Sequence, residues 1–122
     1  MRILVATDLS EAATEAVQQA HAYAQWTNGR LGVCHVVPQL AAASVLFPQE
    51  HGPGALSVLE LRERLTQIVG DNIARLTGRS PADFDVFIEE GSTYAEIVRR
   101  AEAWESDVIV VGSRGATGLA RL

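Results

Sequence analysis

The strongest constraint on the fold is the alternation of short, continuously apolar runs with longer stretches of helical spacing. Ile3–Ala6, Leu31–Val37 and Val108–Val111 are almost free of polar residues, as strands buried on both faces of a parallel sheet are. Phe84, Val86 and Ile88 alternate with Asp85 and Phe87, which predicts one more strand, with a wetter face. Strands that alternate with helices predict an α/β fold, a doubly wound parallel sheet with helices on both faces.

Cap residues and apolar spacing predict the helices. Ser10 is a suitable N-cap for a helix over 11–27, which the Asn28-Gly29 pair should end. Helical spacing returns over 56–76, and Thr93-x-x-Glu96 has the pattern of a capping box that opens a third long helix. Residues 38–55 hold three of the four prolines, so we expect a long excursion there, with a loose helical piece around 40–46.

Length and composition limit the classes of function. The 122 residues suffice for one domain, over 1–122, and the net charge of −5 makes a nucleic acid an unfavourable partner. All ten basic residues are arginine, which excludes a phosphate-binding or Schiff-base lysine. Neither a membrane span nor a signal peptide is predicted, and Cys34 is the only cysteine, so the cytoplasm is the expected location.

Two segments follow strands at positions where such sheets bind ligands. Parallel sheets bind ligands beyond the carboxyl ends of their strands, where the strand order reverses. The segment 7–10 follows the first strand, and the segment 112–118 follows the last. If those two strands are neighbours, both segments face one crevice.

Glycines in the second segment could bring backbone N–H groups close to phosphate oxygens. Gly112-Ser113-Arg114-Gly115 could form an anion nest, to which Arg114 and the hydroxyls of Ser113 and Thr117 would add contacts. The alternative is an ordinary turn from strand to helix. Neither GxxxxGK[ST] nor GxGxxG is present.

Asp8, the three histidines and the Glu89-Glu90 pair are the other polar residues whose roles the sequence suggests. Asp8 either receives hydrogen bonds from a ligand or caps the following helix beside Ser10. The three histidines show no metal-ligand spacing, and we expect structural or surface roles for them. Glu89 and Glu90 end a strand and could hold a cation, but they are better explained as surface carboxylates.

Several blocks of residues resemble the universal stress protein family. The first is Ile3-Leu4-Val5-Ala6-Thr7-Asp8-Leu9-Ser10-Glu11, and Val33-Cys34-His35-Val36-Val37 is similar to the family's second strand. Gly91, Glu96-Ile97 and Ala101 continue the likeness. The block from Asp107 to Gly115, with Thr117-Gly118-Leu119, is the most specific part of a resemblance that spans the chain.

The resemblance implies strand order 3-2-1-4 and an ATP site, with or without magnesium. Asp8 matches an aspartate of ribose and adenine-side recognition, and Val36 matches a valine whose backbone meets adenine, with Ala6 nearby. The family's nucleotide-binding branch has Gly-x-x-Gly, whose glycines match Gly112 and Gly115. The expected nucleotide-binding residues are Ala6, Thr7, Asp8, Val36, Val111, Gly112, Ser113, Arg114, Gly115 and Thr117.

One departure from the family pattern concerns the end of the chain. The pattern continues with a second glycine and a serine or threonine that would fall beyond Leu122, and its fifth strand would lie there too. We therefore expect a domain that lacks its C-terminal strand. Strand 4 would then offer an open edge to another chain, which favours a homodimer or a higher homo-oligomer.

These observations favour a regulatory or binding module of the stress response that binds ATP. No residue is assigned a catalytic or metal-binding role, since the chain offers neither lysine nor an evident general base for phosphate transfer. Two alternatives stay open: a dimerising stress protein that works without nucleotide, and a weak ATPase. No membrane partner is expected.

Overall fold

The computed structural model describes residues 1–43 and 57–112. Its four strands form one sheet in the order β3-β2-β1-β4, and every pair of neighbouring strands is parallel. The sheet confirms the predicted α/β class and the predicted strand order. The strands are β1 (Arg2–Ala6), β2 (Arg30–Val37), β3 (Phe84–Glu90) and β4 (Val108–Val110).

Helices connect the strands as predicted. They are α1 (Glu11–Thr27), α2 (Leu40–Ala43), α3 (Val58–Thr77) and α4 (Thr93–Ala103), with a 3₁₀ turn at Pro81–Asp83. The Ser10 hydroxyl accepts a hydrogen bond from the Ala13 N–H, and Asn28 ends α1 in the left-handed conformation, at φ 53°. Both ends of α1 are thus where the sequence predicts them. The predicted helical piece over 40–46 is described only as far as residue 43.

The predicted capping box at Thr93 and Glu96 is wrong. Ser92, not Thr93, is the N-cap of α4, and its side chain makes no capping hydrogen bond. The Glu96 carboxylate instead accepts from the Arg99 guanidinium at 2.9 Å. A complete capping box lies at the start of α3, where the Ser57 and Glu60 side chains each bond to the other's backbone N–H.

The two faces of the sheet carry cores of very different size. Among the described residues, the face under α1 and α3 holds fifteen that are buried, including Val5, Val17, Val33, Val69 and Ile73. Within the same ranges, the face under α4 holds four: Leu4, Cys34, Ile97 and Ala101. Successive residues of a strand face opposite sides of the sheet, so the apolar run of β1 supplies side chains to both cores, and so does that of β2.

The expectation that β4 is buried on both faces is wrong. Val108 and Val110 pack against the larger core, but Ile109 is 44% exposed and Val111 is 53% exposed. Ile109 pairs with Leu4 and so lies on the α4 face, where α4 packs against β2 and β3 rather than β4. Across the two described ranges, no helix is long and apolar enough to cross a membrane.

Candidate functional site

The two segments predicted to bind a ligand start at the same edge of the sheet. β1 and β4 are parallel neighbours, with Val5 opposite Val110, so Thr7 and Gly112 follow directly beyond the paired ends. A Cβ atom on Gly112 would stand 3.6 Å from the Ala12 carbonyl oxygen in the first turn of α1. Gly112 therefore lies beside the beginning of the helix that follows Asp8.

The turn after β1 is held by its own side chains. The Thr7 hydroxyl accepts from the Leu9 N–H at 3.1 Å, and the Asp8 carboxylate accepts from the Ser10 N–H at 2.9 Å. Leu9 takes a left-handed conformation, at φ 66°, and this turns the chain away from the line of β1. Asp8 thus makes the hydrogen bond of the capping alternative, while its side chain remains exposed to solvent.

His35 supports this turn from the neighbouring strand. Its Nδ1 lies 2.8 Å from the Thr7 carbonyl oxygen, and because a carbonyl can only accept, the Nδ1–H must donate. Thr7 is buried, and its N–H donates to the Cys34 carbonyl at 2.9 Å. Sequence reasoning gave His35 only a structural or surface role. No sequence pattern carried this contact, because it depends on the register of β1 and β2, in which Ala6 lies opposite Cys34.

The backbone of Val36 faces an opening beyond the end of β1. Backbone groups of successive strand residues point to opposite sides, and the Cys34 carbonyl points toward β1. The Val36 N–H and C=O therefore point the same way, but the chain has already turned away at Leu9. Since β2 continues to Val37 while β1 ends at Ala6, a planar group with a donor and an acceptor could pair with Val36 there.

The side chains of Ala6 and Val36 form an apolar floor next to this opening. Both are partly buried and pack against the small core under α4. Alanine and valine together make a shallow surface rather than a deep pocket. Such a surface suits the face of an aromatic ring.

An ion-pair cluster lies beside that floor, and it corrects the expectation for Glu89. Glu89 is opposite Val36 in the register, and its side chain is only 7% exposed rather than a surface carboxylate. It accepts from Arg99 at 2.8 Å and from Arg100 at 2.5 Å. Arg100 also stacks on the ring of Phe87, with 4.5 Å between the guanidinium carbon and the ring centre. The cluster fixes α4 against the end of β3.

Only some of the remaining predicted site residues lie in the described part of the chain. Val111 and Gly112 are described, at the end of β4, whereas Ser113, Arg114, Gly115 and Thr117 lie outside the described residues. Within 1–43 and 57–112, no three histidine, cysteine, aspartate or glutamate side chains are grouped so that they could hold a metal ion.

A cavity lies at the opposite end of the sheet, away from this shallow floor. It measures about 530 Å³ and is lined by residues that include His21, Asn28, Gly78, Arg79 and Asp83. Arg79 donates from Nε to the His21 Nδ1 at 2.7 Å, and burial together with the Arg79 charge lowers the pKa of His21. The cavity is at the amino ends of β2 and β3, away from both segments that follow strand ends.

Comparison with known proteins defines the class of this fold. A family model for the universal stress protein family matches residues 1–122. The chain belongs to the universal stress protein family. It is 31% identical to universal stress protein Sll1388 from Synechocystis sp. over 137 residues, covering 99% of this chain and 83% of the relative.

Solved structures share the fold. A universal stress protein family member from Burkholderia pseudomallei is 25% identical and gives a TM-score of 0.65, covering 98% of this chain and 87% of its own. A universal stress protein in complex with cAMP is 22% identical, with a TM-score of 0.63, and covers 98% of this chain and 81% of its own. At 22% identity, the latter likeness shows the fold alone.

Proposed function

We propose that this chain binds ATP or a related adenine nucleotide at the carboxyl edge of β1 and β4 and acts as a binding module of the stress response. The observation that carries the proposal is the early end of β1 relative to β2. It leaves the Val36 backbone groups facing a gap that is bordered by Asp8 on one side and by Ala6 below.

The adenine end of the nucleotide fits this gap. Adenine carries a donor and an acceptor on one edge, which matches the N–H and C=O of Val36. Its flat face would lie on the Ala6 and Val36 side chains. The nearby Asp8 carboxylate could accept hydrogen bonds from ribose hydroxyls, since Asp8 lies on the turn that borders the gap.

The phosphate end would extend toward the segment that begins at Gly112. Gly112 lies near the first turn of α1, because a Cβ atom placed on it would be 3.6 Å from the Ala12 carbonyl oxygen. The N-terminal end of a helix favours anions, because its first N–H groups lack partners in the helix. A universal stress protein with the same fold has been solved with cAMP, which supports an adenine nucleotide as the ligand class.

Isothermal titration of the full chain with ATP and magnesium tests the proposal. Asp8→Asn is the informative variant, because an amide oxygen can still accept from the Ser10 N–H and preserve the turn. Loss of a hydrogen bond to a charged group costs about 1.5–3 kcal/mol, so affinity should fall roughly ten-fold or more. No binding at millimolar ATP would end the proposal.

Asp71→Asn is the matched control. Asp71 lies on the exposed side of α3 and accepts from the Gln67 amide at 2.9 Å, away from the β1 and β4 ends. The same loss of one negative charge should leave ATP affinity unchanged. Equal losses in both variants would indicate a general charge effect rather than recognition by Asp8.

Self-association through β4 is a second candidate function. In the described sheet β4 is an edge strand, and Ile109 and Val111 are exposed on its α4 face. Open apolar edges recruit further strands. Sedimentation velocity should show a homodimer or larger species that Ile109→Glu reduces; a monomer at all concentrations would exclude this candidate.

A further inference from the structure

The opposite edge of the sheet carries a groove that the nucleotide site does not use. It has a volume of about 500 Å³ and lies between the outer side of α3 and β3, the outermost strand of the described sheet at this edge. Leu59, Glu63, Thr66 and Gly70 line it from α3, at helical spacing that puts them on one stripe. Phe84, Val86 and Pro81 line it from the strand side.

The edge of β3 that faces the groove has no strand partner in the described sheet. The Gly91 N–H donates to the Val37 carbonyl, so the odd-numbered residues of β3 point their backbone groups toward β2. The backbone groups of Phe84, Val86 and Ile88 therefore point outward. Arg62 donates to the Ile88 carbonyl oxygen, which closes the groove at that end. Phe84 and Val86 remain as the pair whose backbone groups point outward; Phe84 is 4% exposed and Val86 is half-buried.

The charge of the groove and the open space in it indicate which kind of ligand would fit. Glu63 and Asp71 contribute two carboxylates to the groove, while Arg62 is engaged with the strand edge. Glu63 has no ion pair within the part of the chain that the structure describes. A Cβ atom on Gly70 would meet nothing within 4 Å, so the middle of the groove is open.

We propose that this groove is a docking site for an extended segment of a partner protein that carries basic side chains. The segment adds to the sheet as a strand beside β3 and pairs with the outward N–H and C=O groups of Phe84 and Val86. Its basic side chains lie against Glu63 and Asp71. The stretch between the 3₁₀ turn at Pro81–Asp83 and the Arg62 side chain accommodates about three or four residues, at about 3.3 Å each.

Fluorescence anisotropy with two short labelled peptides tests the proposal. One peptide alternates arginine with valine, and the other alternates glutamate with valine. The arginine peptide should bind the full chain, and the double variant Glu63→Arg, Asp71→Arg should weaken it roughly ten-fold, as the sum of two rim charge reversals. Glu102→Arg, which reverses one charge on the exposed side of α4, is the control for each single reversal and should leave binding unchanged.

Val86→Pro tests the strand pairing separately from charge. The outward Val86 N–H takes no part in the β2 ladder, so proline removes the donor that the peptide needs while the ladder is retained. Peptide binding should be lost, and ATP binding should be retained. Because the variant could still distort β3, the strand pairing is also measured in the unaltered chain by NMR. Added arginine peptide should shift the Phe84 and Val86 amides and protect them from exchange.

Four results would overturn the proposal. Equal affinity for both peptides would remove the charge argument, and amide shifts confined to another surface would remove the location. Protection of the Phe84 and Val86 amides before any peptide is added would assign the groove to the chain's own segment 44–56. Self-association that Val86→Pro abolishes would assign it to a second copy. ATP binding is independent of all four, since the nucleotide site lies at the β1 and β4 ends.

Discussion

The two faces of the sheet differ in what they contribute to the molecule. The face under α1 and α3 is closed by a large aliphatic core, whereas the face under α4 has, in the described part of the chain, four buried apolar residues and a polar cluster around Glu89. The candidate adenine floor, Ala6 and Val36, belongs to the thinner face. The proposed ligand contact and the main source of stability therefore lie on opposite sides of the same strands. The proposed ligand would rest on the α4 side, where Ala6 and Val36 are only partly buried.

The largest expected effect is a difference in the free energy of unfolding between truncations in the two cores. Ile73, on the inner side of α3, is fully buried, and Ile73→Ala should reduce the free energy of unfolding by about 2–5 kcal/mol through lost burial and a residual cavity. Ile97, at the α4 face, is 9% exposed, and Ile97→Ala should cost less because the site can admit water or relax. Urea unfolding of both variants measures the difference. Equal losses would contradict the contrast between the faces.

A second effect tests how tightly the thin face is nevertheless packed. A Cβ atom on Gly32 would stand 2.7 Å from the Trp104 ring, which lies directly against β2. Gly32→Ala should destabilise the fold by about 1–3 kcal/mol through overpacking, unless the indole moves away. Thermal unfolding gives the cost, and Trp104 fluorescence reports whether the ring has moved. An unchanged stability with an unchanged spectrum would show that the ring is not seated there.

A third effect concerns Cys34, in the small core. Burial is the main cause that raises the pKa of this thiol, to about 12, with Glu89 contributing. The pKa is thus higher in the folded chain than in the unfolded one, so the unfolded chain loses its proton first as pH rises. The contribution of Cys34 to stability is complete below about pH 9 and declines from there to about pH 12, by at most about 1.4 kcal/mol per pH unit.

Comparison with Cys34→Val isolates that pH dependence. Unfolding free energies measured between pH 8 and 10.5 should fall more steeply in the native chain than in the variant. The native thiol should also react slowly with a thiol reagent at neutral pH, because little thiolate forms in the folded state. Parallel pH profiles for the two proteins would show that Cys34 is not buried as described.

The smallest expected effect is on the outer side of α3. Gly70 lies within the helix and has open space where a Cβ atom would be, so Gly70→Ala should stabilise the fold by about 0.5–1 kcal/mol. Gly32→Ala and Gly70→Ala are the same chemical change with opposite expected signs. Differential scanning calorimetry of both variants shows whether the sign differs; a loss of stability in both would contradict the open space at Gly70.

Local signals in the sequence predicted a large part of the fold. Ser10 and Asn28 mark the ends of α1 by chemistry that acts within a few residues, and both ends were confirmed. The capping pattern at Thr93 failed because α4 begins one residue earlier, with Ser92 as its N-cap, which places Glu96 one position beyond the one a capping box needs. Ser57 and Glu60 have the same spacing, and there the serine is the N-cap and the box is complete.

Non-local packing accounts for what the sequence could not show. Glu89 is buried because two arginines ten and eleven residues later close over it, and no pattern within β3 contains that information. The exposure of Ile109 depends on which strands α4 covers, which is a property of the assembled layer. The adjacency of the Asp8 and Gly112 turns was predictable from parallel topology, whereas the support of Thr7 by His35 required the register of β1 and β2.

Amide chemical shifts during titration with ATP and magnesium test the central claim most directly. The account predicts saturable shifts at Thr7, Asp8, Val36 and Gly112, the residues that border the opening at the end of β1. Shifts confined to the cavity around His21 and Gly78, at the other end of the sheet, would contradict it. So would an unchanged spectrum at millimolar nucleotide.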